Sequence, residues 1–106
     1  MPAVGASIRG NPNFAAFAGA KHALRALAQS MARELGPQGI HVGHVLIDGM
    51  IDAVAVREKY PDEANALPED GMLDPDHIAE TYWTIHAQPR DAWTFETDIR
   101  PYAERW

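Results

Sequence analysis

The chain has no cysteine among its 106 residues, which excludes a disulfide framework and any thiolate metal site. Positive charge is also scarce. Nine Lys and Arg stand against fifteen Asp and Glu, for a net charge of −6. A face able to neutralise several phosphates is hard to assemble from that stock, which argues against a nucleic-acid role. No stretch approaches the roughly 20 apolar residues of a membrane span. The start, MPAVGASIRG, sets one arginine among small residues without a sustained apolar core, so it does not read as a secretion signal. No internal repeat or low-complexity segment is visible. These absences suit one small cytoplasmic domain over residues 1–106, with no nucleic acid and no membrane as partners. An apolar content of 46% argues against disorder.

What is present begins with FAAFAGAKHALRALAQSMAREL, Phe14 to Leu35. Phe17, Ala20, Leu24, Leu27, Ala28, Met31 and Leu35 recur at three- and four-residue steps, as one side of a helix does. Ala15, Ala16, Gly19, Ala23 and Ala26 make a second side small enough for another backbone to come close. Asn13 is placed to cap the start after the Asn11-Pro12-Asn13 turn. Gly36 and Pro37 close the end.

The run from Ile40 to Ile47 is rich in β-branched residues and does not alternate, which predicts a strand covered on both faces, as in a parallel sheet. A short helix is expected over 51–60 and a surface loop with at most one helical turn over 61–73. Asp74-Pro75-Asp76 marks a helix start with Asp74 as cap. That helix should run to about Ala87 with Ile78, Tyr82 and Ile85 buried. Trp93 to Ile99 alternates apolar and polar as a second strand. Helix, strand, helix, strand makes an α/β chain whose last three elements form one βαβ unit with two parallel strands and a right-handed crossover. Two strands do not make a stable parallel sheet alone, so another surface must cover them.

Few residues suggest chemistry by themselves. His41 and His44 point to opposite faces of a strand, and His77 and His86 lie more than two helical turns apart. Neither pair has metal-ligand spacing, and no metal is expected. Asp48 and Asp52 are explained better by turn and cap duties than as a carboxylate pair. The carboxylates of 62–76 read as a solvated loop, and Trp83, Trp93 and Trp106 as core or interface. Phe17 and Lys21, four apart, share a helix face. Phe17 is either an altered active-site position or a core aromatic, and Lys21 either a cofactor contact or a snorkelling side chain.

From Phe17 through Lys21 to Asp48-Gly49 the sequence resembles the C-terminal half of a short-chain dehydrogenase/reductase, closely over residues 4–52 and more loosely beyond. That family carries Tyr-x-x-x-Lys on a long helix ending in a glycine turn, then a buried strand and a Pro-Gly loop against the nicotinamide. The resemblance implies a partial Rossmann-like fold lacking the N-terminal dinucleotide-binding half. It also implies NAD(P) chemistry with Phe17 and Lys21 at the catalytic positions, and Lys21, Asp48, Gly49 and Ile51 at cofactor-binding ones. The chemistry explains the spacing. A tyrosine hydroxyl exchanges a proton with the substrate oxygen, and a lysine one turn on lowers its pKa and binds the nicotinamide ribose.

Departures follow directly. Phe17 has no proton to give. The family serine position falls near Val4, with Ser7 the nearest hydroxyl, and Ala53 replaces the carboxamide-binding threonine. The glycine-rich phosphate turn is absent from the sequence, so this chain alone is expected to bind no NAD(P). The expectation is an oxidoreductase-family segment inactive by itself. The alternative is a non-catalytic association module or truncated pseudoenzyme that pairs through helix 14–35. Expected partners are a second copy or the missing N-terminal half.

Overall fold

The computed structural model describes residues 15–105. Val4, Ser7, the turn and cap at 11–13, Phe14 and Trp106 lie outside the described residues. The elements run α1 (Ala15–Leu35), β1 (His44–Ile47), α2 (Val54–Lys59), α3 (Pro61–Ala66), α4 (Pro75–His86) and β2 (Glu96–Ile99). The strands pair in parallel, His44 opposite Glu96 and Ile47 opposite Ile99. This is the α/β, helix-strand-helix-strand, partial Rossmann-like arrangement expected; the short helix expected over 51–60 is α2, and α3 is an addition.

α1 ends in a 3-10 turn over Gly36–Gln38, and Gly39 adopts φ 85° while its N–H donates to the Gly36 carbonyl at 2.9 Å. A left-handed residue there suits glycine, which has no Cβ to clash. The next four residues, expected as strand, lie outside the ladder. Side chains hold this stretch instead. His41 Nε2 lies 2.7 Å from the Thr94 carbonyl oxygen, and the His41 ring stacks flat on Trp93 at 4.5 Å. On the other strand Gln88 binds both the N–H and the hydroxyl of Thr94, each at 2.8 Å. The backbone of Thr94 is thus engaged by side chains, and both strands start later than their β-rich sequence predicts.

α1 lies over the face of the sheet that carries His44, since Arg25 reaches across to Glu96. α4 lies over the other face, where Ile85 sits 3.6 Å from the point a Gly43 Cβ would occupy. Apart from Leu35 at its end, the sheet-facing residues of α1 are not its large apolar ones. Ala18 is buried and Arg25, Ala28, Ala32 and Leu35 are half-buried, whereas Phe17, Leu24, Leu27 and Met31 are all exposed. The small residues Ala15, Ala16, Gly19, Ala23 and Ala26 are exposed too. Small side chains let the helix approach the strands closely, and the bulky stripe is turned past the sheet edge.

The segment 61–73, expected as a loop with at most one turn, contains α3. Pro61 at its first position and Asp62 and Glu63 in its first turn are favourable helix-start chemistry. Reading the proline only as a breaker hid it. Past α3 the chain returns to β1's end, with Ile51 bridging Leu73 in parallel. The Asp52 N–H donates to the Leu73 carbonyl, and the Leu73 N–H to that of Met50, both at 2.7 Å.

α4 starts as the sequence predicts, with the Asp74 carboxylate accepting the Asp76 N–H at 2.8 Å. Ile78 is buried and Ile85 half-buried, but Tyr82 is 51% exposed, against expectation. Tyr82 borders the free edge of β1, where no further strand lies among the described residues. Trp83 is exposed as well, neither core nor interface within the described chain. Among the described residues the buried apolar side chains are few: Ala18, Leu46, Met50, Ala64, Leu73 and Ile78. Among the described residues no helix is long and apolar enough to cross a membrane.

Candidate functional site

The site grows from α1 and the end of β1. Helical spacing places Lys21 one turn beyond Phe17, and its ammonium nitrogen stands 5.5 Å from the Phe17 ring centroid. Such a cation over an aromatic face gains about 0.5–1 kcal/mol where water still reaches it. Both residues border a groove of about 500 Å³ running along β1 from Gly43 to Ile47, with Leu24 and Ala28 on the α1 side and Tyr82 on the α4 side. Ile51 closes the end beyond the strand. The walls are mainly apolar, and the Lys21 ammonium is the one charge that α1 brings to them.

The structure thus brings three sequence-predicted residues, Phe17, Lys21 and Ile51, to one groove. Asp48 and Gly49 are not part of its lining. Asp48 is 2% exposed, at the end of β1, with its N–H on the Ile99 carbonyl at 2.8 Å. Gly49 is buried against Pro101, whose Cδ lies only 2.6 Å from where a Cβ would project. That contact alone accounts for a glycine at this position.

Asp52 does not pair with Asp48. Its carboxylate takes the Arg57 Nε at 2.6 Å, and this charged hydrogen bond holds the Asp52 carboxyl below its ordinary range. A larger and more open depression lies beside it, bordered by Arg57, Glu69, Asp70, Asp74 and His77. Among the described residues no three His, Cys, Asp or Glu gather as a ligand set for a metal ion.

One polar cluster was invisible to sequence reasoning. Glu96 at the head of β2 receives Arg25 Nε at 2.6 Å and Arg25 Nη2 at 3.3 Å, while His44 Nδ1 lies 3.1 Å from the same carboxylate. The Arg25 hydrogen bond, followed by weaker attraction from Arg25 and His44, pulls the Glu96 carboxyl below its usual range. Arg25 and Glu96 stand 71 residues apart, and no local pattern links them. The cluster ties α1 to both strands at the end of the sheet away from Asp48.

Residues 3–87 match the family model described as enoyl-(acyl carrier protein) reductase. Among solved structures the chain is similar to a short-chain dehydrogenase from Rhodopseudomonas palustris, with 45% identity and a TM-score of 0.65. The likeness covers 92% of this chain and 34% of that one, so the chain spans about a third of the protein it matches. No curated protein sequence matches it. A family match over residues 3–87, which takes in the helix of Phe17 and Lys21 and the strand that follows it, identifies this chain as a member of the short-chain dehydrogenase/reductase family.

Proposed function

We propose that the chain is the C-terminal segment of an NAD(P)-dependent carbonyl or alcohol oxidoreductase, in a branch where phenylalanine occupies the proton-donor position. By itself it transfers no hydride. The observation that carries this reading is the shared groove of Phe17, Lys21 and Ile51, with the ammonium 5.5 Å from the ring. Lys21 has the charge and reach to hold a ribose hydroxyl. Phe17 offers a flat apolar wall and no exchangeable hydrogen. The residues fit the nicotinamide end of a dinucleotide only, because the sequence contains no glycine-rich turn to take the pyrophosphate. When bound, the cofactor supplies hydride. The chain's own residues supply a positive charge and an apolar wall, so the proton for a substrate oxygen needs a donor other than Phe17, such as water or a substrate group.

Titration of the purified chain with NADH and with NADPH, followed by nucleotide fluorescence, tests the reading. No saturable binding is expected. Saturable micromolar binding by the chain alone would contradict the absence of a dinucleotide site. In a full-length relative with phenylalanine at this position, Phe17→Tyr should raise carbonyl reduction. No change would count against a proton-relay role for the position.

A second reading, a non-catalytic association module pairing through α1, draws on the exposure of Phe17, Leu24, Leu27 and Met31 along one stripe. Sedimentation of the chain alone distinguishes it, because a stable homodimer sensitive to Leu27→Glu supports association and a monomer removes it.

A further inference from the structure

On the side toward the sheet, α1 offers little that could lock its position. Ala18, Lys21, Arg25, Ala28, Ala32 and Leu35 follow one another at three- and four-residue steps, so they form one stripe. Ala18 is buried and Ala28 and Ala32 are half-buried, but single methyl groups give no ridge to seat in a facing groove. Such a face allows close approach and does little to oppose sliding or tilting. The C-terminal end of α1 is anchored by other means. The Leu35 carbonyl accepts the Ile40 N–H at 3.2 Å, and the Gly36–Gln38 turn leads on toward β1. Lys21 stands about 21 Å up the helix from that anchor, so a tilt of about 10° carries it about 3–4 Å. A binding group has to be held within about 0.5 Å.

Arg25 lies one turn from Lys21 on the same stripe. Its fork grips Glu96 through Nε at 2.6 Å and Nη2 at 3.3 Å, and His44 Nδ1 stands 3.1 Å from the same carboxylate. Glu96 and His44 face each other in the strand register, so the carboxylate is itself held from the sheet. A two-point contact of this kind fixes orientation as well as distance. We propose that the Arg25–Glu96 pair, steadied by His44, is the positioning device for Lys21: it sets the tilt of the N-terminal half of α1 and thereby where the ammonium enters the groove. The pair is partly exposed and adds little to stability. Its directionality matters because the alanine face supplies none. Glu96 also offsets the charge of Arg25, which would otherwise stand as a like charge one turn from Lys21. That the ammonium then holds a ribose hydroxyl rests on the function proposed above, whereas its placement does not.

Pulsed electron paramagnetic resonance on the chain alone tests the placement without any nucleotide, so its result stands apart from the titrations above. The sequence has no cysteine, and nitroxide labels attach only where one is introduced. Gly19→Cys puts a label beside Lys21. Among the described residues, nothing but its own helix backbone and chain neighbours lies within 4 Å of the new Cβ. Glu80→Cys, exposed on α4, supplies the reference, and Glu34→Cys with the same reference reports the anchored end. Both label pairs should give narrow distance distributions. Arg25→Met keeps the stem and removes the fork, and Glu96→Gln keeps the size and removes the charge. Each should shift or broaden the distance between labels at 19 and 80 by about 4 Å. Each should leave the distance between labels at 34 and 80, and the far-ultraviolet spectrum, unchanged. If one variant unfolds, the other carries the test. An unmoved distance from position 19 in both variants would show that packing alone places Lys21, and would overturn the proposal. Equal change at the two ends of α1, or unfolding of both variants, would make the pair a general support of the fold and would overturn it too.

Discussion

Replacing Gly49 tests whether the turn after β1 is shaped by packing or kept open for a ligand. A Cβ at position 49 would lie 2.6 Å from Pro101 Cδ and 3.1 Å from Cγ, against about 3.5–4.0 Å for comfortable carbon contact. Backbone conformation is not the obstacle, because Gly39 is the glycine with positive φ among the described residues. The cost of Gly49→Ala is therefore overpacking against a buried proline ring, about 2 kcal/mol within the usual range for such changes. For a domain of this size that lowers Tm by about 8–16 °C. Pro101→Ala deletes both offending atoms and leaves Leu73 Cδ1 at 3.5 Å, an ordinary contact. In that background Gly49→Ala should cost less than about 0.5 kcal/mol, giving a coupling of about 1.5 kcal/mol in a double-mutant cycle. Urea unfolding of the four proteins, followed by circular dichroism, measures it. Additivity within about 0.5 kcal/mol would refute the packing account and return Gly49 to the ligand-binding one.

Glu96→Gln should destabilise the chain by about 0.5–1 kcal/mol, the upper part of the range for an exposed ion pair, because Arg25 engages the carboxylate through two nitrogens. Because the folded Glu96 carboxyl sits below its ordinary range, its contribution is full above an unfolded value of about 4.3 and fades as pH falls through the lower folded value. The difference between wild type and variant should shrink in acid, and a constant difference down to the acid limit would contradict the assignment. Asp74→Ala removes the carboxylate that accepts the Asp76 N–H and should cost about 1 kcal/mol. Asp74→Asn should largely restore it, and equal losses in both would point away from capping.

Local chemistry made much of the fold legible. The Gly36-Pro37 stop, the Asp74-Pro75 start and the β-branched run before Asp48 each mark their element through a short-range cause, and the parallel pairing followed from the order of those elements. What failed was exposure. The apolar period of α1 shows that Phe17, Leu24, Leu27 and Met31 share a side, but periodicity does not say what covers that side. On α4 the same kind of period put Tyr82 inside, but it is exposed. Strand starts failed for another reason. His41, Gln88 and Thr94 substitute side-chain hydrogen bonds for ladder bonds, and β-propensity does not register that exchange. Of the candidate site, the Phe17–Lys21 pair was legible because four residues on a helix are one turn. The Arg25–Glu96–His44 cluster was not, since only the folded chain makes those residues neighbours.

The bridge between Ile51 and Leu73 has an architectural consequence. Its two 2.7 Å hydrogen bonds clip together the ends of a 21-residue detour, 52–72, whose route therefore does not set where α4 begins. Remodelling α2 and α3, lengthening the span between them or cutting the exposed residues near Glu69 would leave the clip in place, with α4 still docked on the sheet. The excursion can vary as a module while the scaffold beneath it keeps its shape.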